Sequence, residues 1–119
     1  MTVQECYAAF GGNYEEVVSR LRTDERIMKF LKRVLEDGSY KLLLDSIESG
    51  NVDEAFRAAH TLKGVCMNLS ITKFAESSST LTEFLREKRV INDELQPMLQ
   101  QVKADYELTI SAIKLLLGE

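Results

Sequence analysis

Apolar positions recur along this chain at the three- and four-residue intervals of an α-helix, in segments punctuated by glycine, asparagine and aspartate. Thr2 to Phe10 reads as a short helix closed by Gly11-Gly12. Asn13 is a candidate N-cap, with Glu15 and Glu16 in the first turn and Tyr14, Val17, Val18 and Leu21 as the apolar stripe. From Asp24 onward Ile27, Phe30, Leu31 and Val34 repeat the spacing until Asp37-Gly38. Ser39 is expected to cap another stretch, in which Leu43 and Ile47 lie one turn apart and which stops at Gly50. Asn51 opens a longer helix to about Ser70, whose Ala55, Ala59, Leu62, Cys66 and Leu69 form a sustained inward stripe. Thr72 is the next candidate cap, with Phe74, Ala75, Ser78, Leu81 and Leu85 on one face up to Lys88-Arg89. The last helix is expected from near Asn92 to Leu117, turning Leu95, Leu99, Val102, Tyr106, Ile110, Ile113 and Leu117 inward. Pro97 has no amide proton to give to a helix interior, so regular helix is expected to begin close to Gln96.

This pattern predicts an all-α protein, an antiparallel up-and-down four-helix bundle with one or two short N-terminal helices. The segments starting near Ser39, Asn51, Thr72 and Asn92 are expected to build the core, the earlier ones to cover an end. Ser77-Ser78-Ser79-Thr80 falls mid-helix and reads as close packing through small side chains. Composition agrees: only 6 glycines and 1 proline interrupt 119 residues, too few breakers for a strand-and-turn architecture. No linker, repeat or low-complexity tract divides the chain, so residues 1–119 are read as one domain.

Charge and cysteine usage narrow the function classes. A net charge of −4 offers no clustered basic face for nucleic acid. Ile113 to Leu117, broken by Lys114, is too short to span a membrane, and Met1 to Phe10 lacks the basic start of a signal peptide. Cys6 and Cys66 form no CxxC pair, which points to a reducing cytoplasm. With one histidine, two separated cysteines and no HExxH, there is no ligand set for a metal enzyme. Cysteine catalysis is disfavoured as well, because Cys66 lies on the inward stripe.

The remaining chemistry gathers around the only histidine, His60, in Ala58-Ala59-His60-Thr61-Leu62-Lys63-Gly64. Helical spacing sets Arg57, Lys63 and Gly64 beside the imidazole and turns it away from the stripe through Ala59 and Leu62. A glycine inside a helix costs about 0.5–1 kcal/mol relative to alanine, so Gly64 needs a reason. It could allow close packing, or it could leave room beside the ring for a tetrahedral group, with Lys63 as a point charge suited to phosphate. Phe56, Arg57 and Met67 share or flank the histidine stripe and are candidate partner-docking residues. Phe56 is weighted toward the core, Met67 could be a half-buried spacer, and Asn68 is read as a helix-end satisfier.

His60-Thr61-Leu62-Lys63-Gly64, with Ala55-Phe56-Arg57-Ala58-Ala59 before it and Asn68-Leu69 after it, resembles a histidine-containing phosphotransfer (Hpt) domain. Asp37-Gly38-Ser39-Tyr40, Gly50-Asn51-Val52-Asp53 and Leu81-Thr82-Glu83-Phe84-Leu85-Arg86 are similar to small bacterial stand-alone members. The resemblance is densest over residues 24–89. It departs at Val65 and Cys66, where many members carry small serines, and at Ser70, where glycine is common. The resemblance implies a four-helix bundle and a phosphorelay carrier. His60 would accept a phosphoryl group on Nε2 from the aspartate of a response-regulator receiver domain, or of a hybrid sensor histidine kinase, and pass it to another receiver. Lys63 would steady the phosphate and Gly64 give clearance, while Mg²⁺ is expected from the receiver and no cofactor from this chain. Such a carrier is no autonomous enzyme, and a monomer is expected because docking needs the His60 face free. Two rivals stay open: a helical adaptor that binds receivers or kinases without phosphorylation, and the phosphotransfer module of a chemotaxis-type kinase.

Overall fold

The computed structural model describes residues 1–119 as seven α-helices and one 3-10 turn, with no strand. The helices are α1 (Val3–Phe10), α2 (Tyr14–Leu21), α3 (Asp24–Glu36), α4 (Ser39–Glu48), α5 (Val52–Asn68), α6 (Thr72–Lys88) and α7 (Gln96–Leu117). Their starts follow local capping. The side chains of Thr2, Asn13, Thr23 and Asn51 each accept a hydrogen bond from the amide three residues on. Asn92 caps the 3-10 turn Asp93–Leu95, and α7 begins at Gln96 with Pro97 in its first turn, where the missing amide proton has no partner to lose. Ser39 and Thr72 are not caps. Each is the first residue of its helix, after Gly38 and Ile71, and Asp37 Oδ1 accepts the Ser39 amide at 2.8 Å instead.

The bundle is the expected antiparallel one, with α5 between α4 and α6, and α6 against α7. One expectation changes. The earlier helices do more than cover an end: α3 buries Ile27 and Leu31 completely and packs along α7, so α3 and α4, broken at Asp37-Gly38, line the same bundle in succession. Tyr40 of α4 stacks on Tyr106 of α7 with ring centroids 3.5 Å apart, joining the two sides. Ser77 and Ser78 are buried as the small-residue run predicts, and Ser77 adjoins Pro97, Met98 and Gln101 of α7.

The N-terminal helices supply what the end of α5 lacks. A helix leaves its last carbonyls without intrahelical partners. Arg20 Nη2 donates to the carbonyls of Met67 and Asn68 at 3.1 and 3.2 Å, and the buried Tyr7 hydroxyl to that of Leu69 at 2.7 Å. The carbonyl of Ser70 accepts from the Asn13 amide at 2.9 Å. Ser70 itself takes the left-handed conformation, φ 54°, in which glycine is at ease and serine is strained. Its hydroxyl donates to Glu16 Oε1 at 2.6 Å and accepts from Arg20 Nη2, which holds the turn without glycine.

Gly12 lets this seam close. A Cβ there would stand 2.8 Å from the Ser70 carbonyl oxygen and 2.6 and 2.7 Å from the rings of Phe10 and Tyr7. Gly12→Ala is therefore expected to lower the unfolding free energy by about 1–3 kcal/mol in urea titrations, as overpacking does. An unchanged midpoint would mean that the seam yields freely.

Candidate functional site

Helix α5 is divided lengthwise. Ala55, Ala58, Ala59, Leu62 and Cys66 are buried, and the three alanines let α4 and α6 approach closely. Ala58 widens the inward stripe beyond the positions read from the sequence. On the opposite face His60 is exposed, with Arg57 one turn before it and Gly64 and Met67 after it. The side chain of His60 makes no hydrogen bond or ion pair within the chain, and its one close ring contact is Phe56, parallel to within 6° at a centroid distance of 5.8 Å.

The two cations beside the imidazole have different surroundings. Arg57 is paired with Glu54 at 3.1 Å, three residues earlier, so much of its charge is answered locally. Lys63 forms no ion pair and lies half-buried along a groove of about 510 Å³ that it lines with Cys66, Met67, Ser79 and Glu76. Of the two, Lys63 is the cation without a carboxylate partner.

Gly64 has no packing role inside the molecule: an ideal Cβ at this position meets nothing within 4 Å. The close-packing reading fails, and the space beside His60 is open. Met67 is 54% exposed and stands out as an apolar knob, which overturns the spacer reading. Phe56 is half-buried against the core, and its ring borders that of His60. The Asn68 side chain makes no hydrogen bond, and the helix end is satisfied by Arg20 instead.

Two contributors escaped the sequence reading. Arg20 meets the end of α5 from 47 and 48 residues away, and no periodicity signals such a contact. Arg86 of α6 places its guanidinium carbon 5.0 Å from the centroid of Phe56, and only its place in the last basic turn of α6 sets it apart in the sequence.

A family model described as the Hpt domain matches residues 16–112, most of the chain. The chain belongs to the Hpt domain family. Neither the curated proteins nor the solved structures contain a match to it. Hpt domains are phosphocarriers of phosphorelay signalling rather than catalysts, and they interact with the receiver domains and kinases of two-component systems. The helical bundle of this Hpt domain carries His60, Lys63 and Gly64 inside the matched span. No helix of the molecule is long and apolar enough to cross a membrane.

The thiols of this Hpt domain are withdrawn from chemistry. Burial pushes the Cys66 thiol up to about 12, with the charges of Asp37 and Asp105 adding to it, and burial alone lifts Cys6 to about 11. An unfolded thiol titrates near 8.5, so above about pH 8 the unfolded chain loses protons that the native chain keeps. The thiol contribution to stability is complete below that pH and shrinks as pH climbs toward the native values. Cys66→Ala is expected to flatten the alkaline decline in unfolding free energy followed by urea titration at rising pH. A decline as steep as in the unaltered protein would assign it to other groups.

Proposed function

We propose that this Hpt domain is a cytoplasmic phosphorelay carrier whose phosphoacceptor is Nε2 of His60. The observation that carries this reading is the exposed imidazole one turn from Gly64, a helix-interior glycine that nothing within the chain requires. About 0.5–1 kcal/mol of helix stability is given up there, and what is gained is open space beside the ring.

The step is a displacement at phosphorus. The lone pair on Nε2 attacks the acyl phosphate of a receiver domain, an N–P bond forms, and the P–O bond to the aspartate breaks. Its electron pair returns to the leaving carboxylate. A second receiver aspartate reverses the step and carries the group away. Phosphoryl transfer passes through a loose transition state, so in-line placement and charge stabilisation do most of the catalysis. Lys63, with no carboxylate partner of its own, is suited to the phosphoryl oxygens as a mobile point charge. The Mg²⁺ comes with the receiver, and no carboxylate stands three or four residues from His60 on α5 to act as a base.

Docking is assigned to the face around His60: Met67 supplies an exposed apolar contact, Arg57 a rim charge, and Phe56 the uncovered part of its ring. Receiver domains, free or within a hybrid sensor kinase, are the partners, and a monomer keeps this face open.

Incubation with a phosphorylated receiver and Mg²⁺ is expected to add one phosphoryl group by intact mass, acid-labile and alkali-stable, and absent from His60→Gln. If several receivers and phosphoramidate all fail on the folded protein, the domain is an adaptor. Gly64→Ala is expected to raise the unfolding free energy by about 0.5–1 kcal/mol while slowing transfer. A variant that gains stability and transfers at full speed would remove the clearance role.

A further inference from the structure

Nothing polar holds the imidazole of His60. Reactive histidines are commonly oriented by a hydrogen bond from the second ring nitrogen to a carbonyl or carboxylate. Here neither nitrogen has such a partner, yet in-line attack requires the Nε2 lone pair to point in one direction. The contact that remains is Phe56, one turn earlier on α5. Helical side chains lean toward the N-terminus, which lays the residue at i+4 over the one at i.

The parallel geometry matters chemically. Lone pairs of imidazole nitrogens lie in the ring plane, so a parallel, offset neighbour with its centroid 5.8 Å away does not draw either nitrogen into its ring face. An edge-on contact would have aimed one of them into the aromatic ring. Phe56 is itself fixed: it packs against the core, and the Arg86 guanidinium carbon lies over its ring, 5.0 Å from the centroid. Arg86 Nε is in turn 3.4 Å from Glu83 Oε1, and nearby Arg89 Nη2 donates to Asp53 Oδ1 at 3.0 Å, tying the end of α6 to the start of α5.

We propose that Phe56, steadied by Arg86, is a positioning residue for phosphoryl transfer, a platform that fixes the plane of the His60 ring and leaves Nε2 open. The proposal rests on His60 being the phosphoacceptor and goes beyond docking, because it requires Phe56 to act even when no partner protein is present.

Potassium phosphoramidate separates these roles, since it is a phosphoryl donor with no surface to dock. Its P–N bond breaks as the bond to Nε2 forms, and ammonia leaves with the electron pair, its nitrogen already protonated in the donor. Initial rates of phosphorylation are compared for the unaltered protein, Phe56→Leu, Phe56→Tyr and Arg86→Gln, with phosphoramidate and with a phosphorylated receiver. Phe56→Leu is expected to slow both reactions by about three- to tenfold, the worth of one aromatic pair, while Phe56→Tyr restores them. Arg86→Gln is expected to slow both by a smaller factor. A Phe56→Leu rate with phosphoramidate equal to that of the unaltered protein overturns the proposal, and slowing confined to the receiver would make Phe56 a docking contact alone. Should Phe56→Leu fail to fold, Arg86→Gln and the proton spectrum of His60 decide. Upfield ring-current shifts that diminish in Arg86→Gln support the platform, and their absence from the unaltered protein overturns it. Failure of the unaltered protein to take phosphate from either donor, or phosphorylation of His60→Gln, would instead overturn the phosphoacceptor reading and the positioning role with it.

Discussion

At the carboxyl end of α5 the chain turns through Ser70, and four successive carbonyls, from Met67 to Ser70, find their partners in the N-terminal segment: the Arg20 guanidinium, the Tyr7 hydroxyl and the Asn13 amide. At the Leu69 carbonyl, buried under the Tyr7 hydroxyl, a bare acceptor would have no water to fall back on and would cost more than the bond is worth. The guanidinium also places a positive charge where the aligned peptide dipoles concentrate negative potential. The cap ties the end of α5 to the N-terminal helices, while the buried stripe from Ala55 to Cys66 sets which face turns outward. The family match begins at residue 16, whereas Tyr7 and Asn13 precede it, so part of the cap is built by chain outside the matched span.

With that end fixed, α5 can be asymmetric. Its inner face is small and apolar and draws in α4 and α6, while its outer face carries Gly64, beside which the space is open. The two faces answer to different demands. The inner one is judged by packing density, where even a methylene is felt. On the proposed reading, the outer one is judged by what a second protein and a phosphoryl group must reach.

The site is sparse for the same reason. On the proposed reading it holds one nucleophile, one unpaired cation and one aromatic neighbour, and both thiols are buried out of reach. A carrier must give the phosphoryl group away as readily as it takes it. A site that held phosphate with many charged hydrogen bonds would stabilise the carried state and slow its release.

Much of this was legible in the amino-acid sequence, because it is local. Helix periods, the cap at Asn13, the helix openings near Asn51 and Asn92, the start at Gln96 and the outward turn of His60 follow from interactions within a few residues. Ser39 and Thr72 have the chemistry of caps, yet the backbone enters each helix one residue earlier. Even the pairing of Arg57 with Glu54 lies at a spacing that sequence displays. What tertiary structure alone decided is which distant residues complete the site. Arg20 reaches Ser70 across 50 residues, and Arg86 comes to Phe56 from another helix. It also decided that Gly64 has no neighbour to accommodate and that α3 joins the core. Periodicity records which face of a helix turns inward, because that is settled within a turn or two. It carries no record of which other helix arrives there, because that is settled only when the apolar faces of the whole chain are buried together.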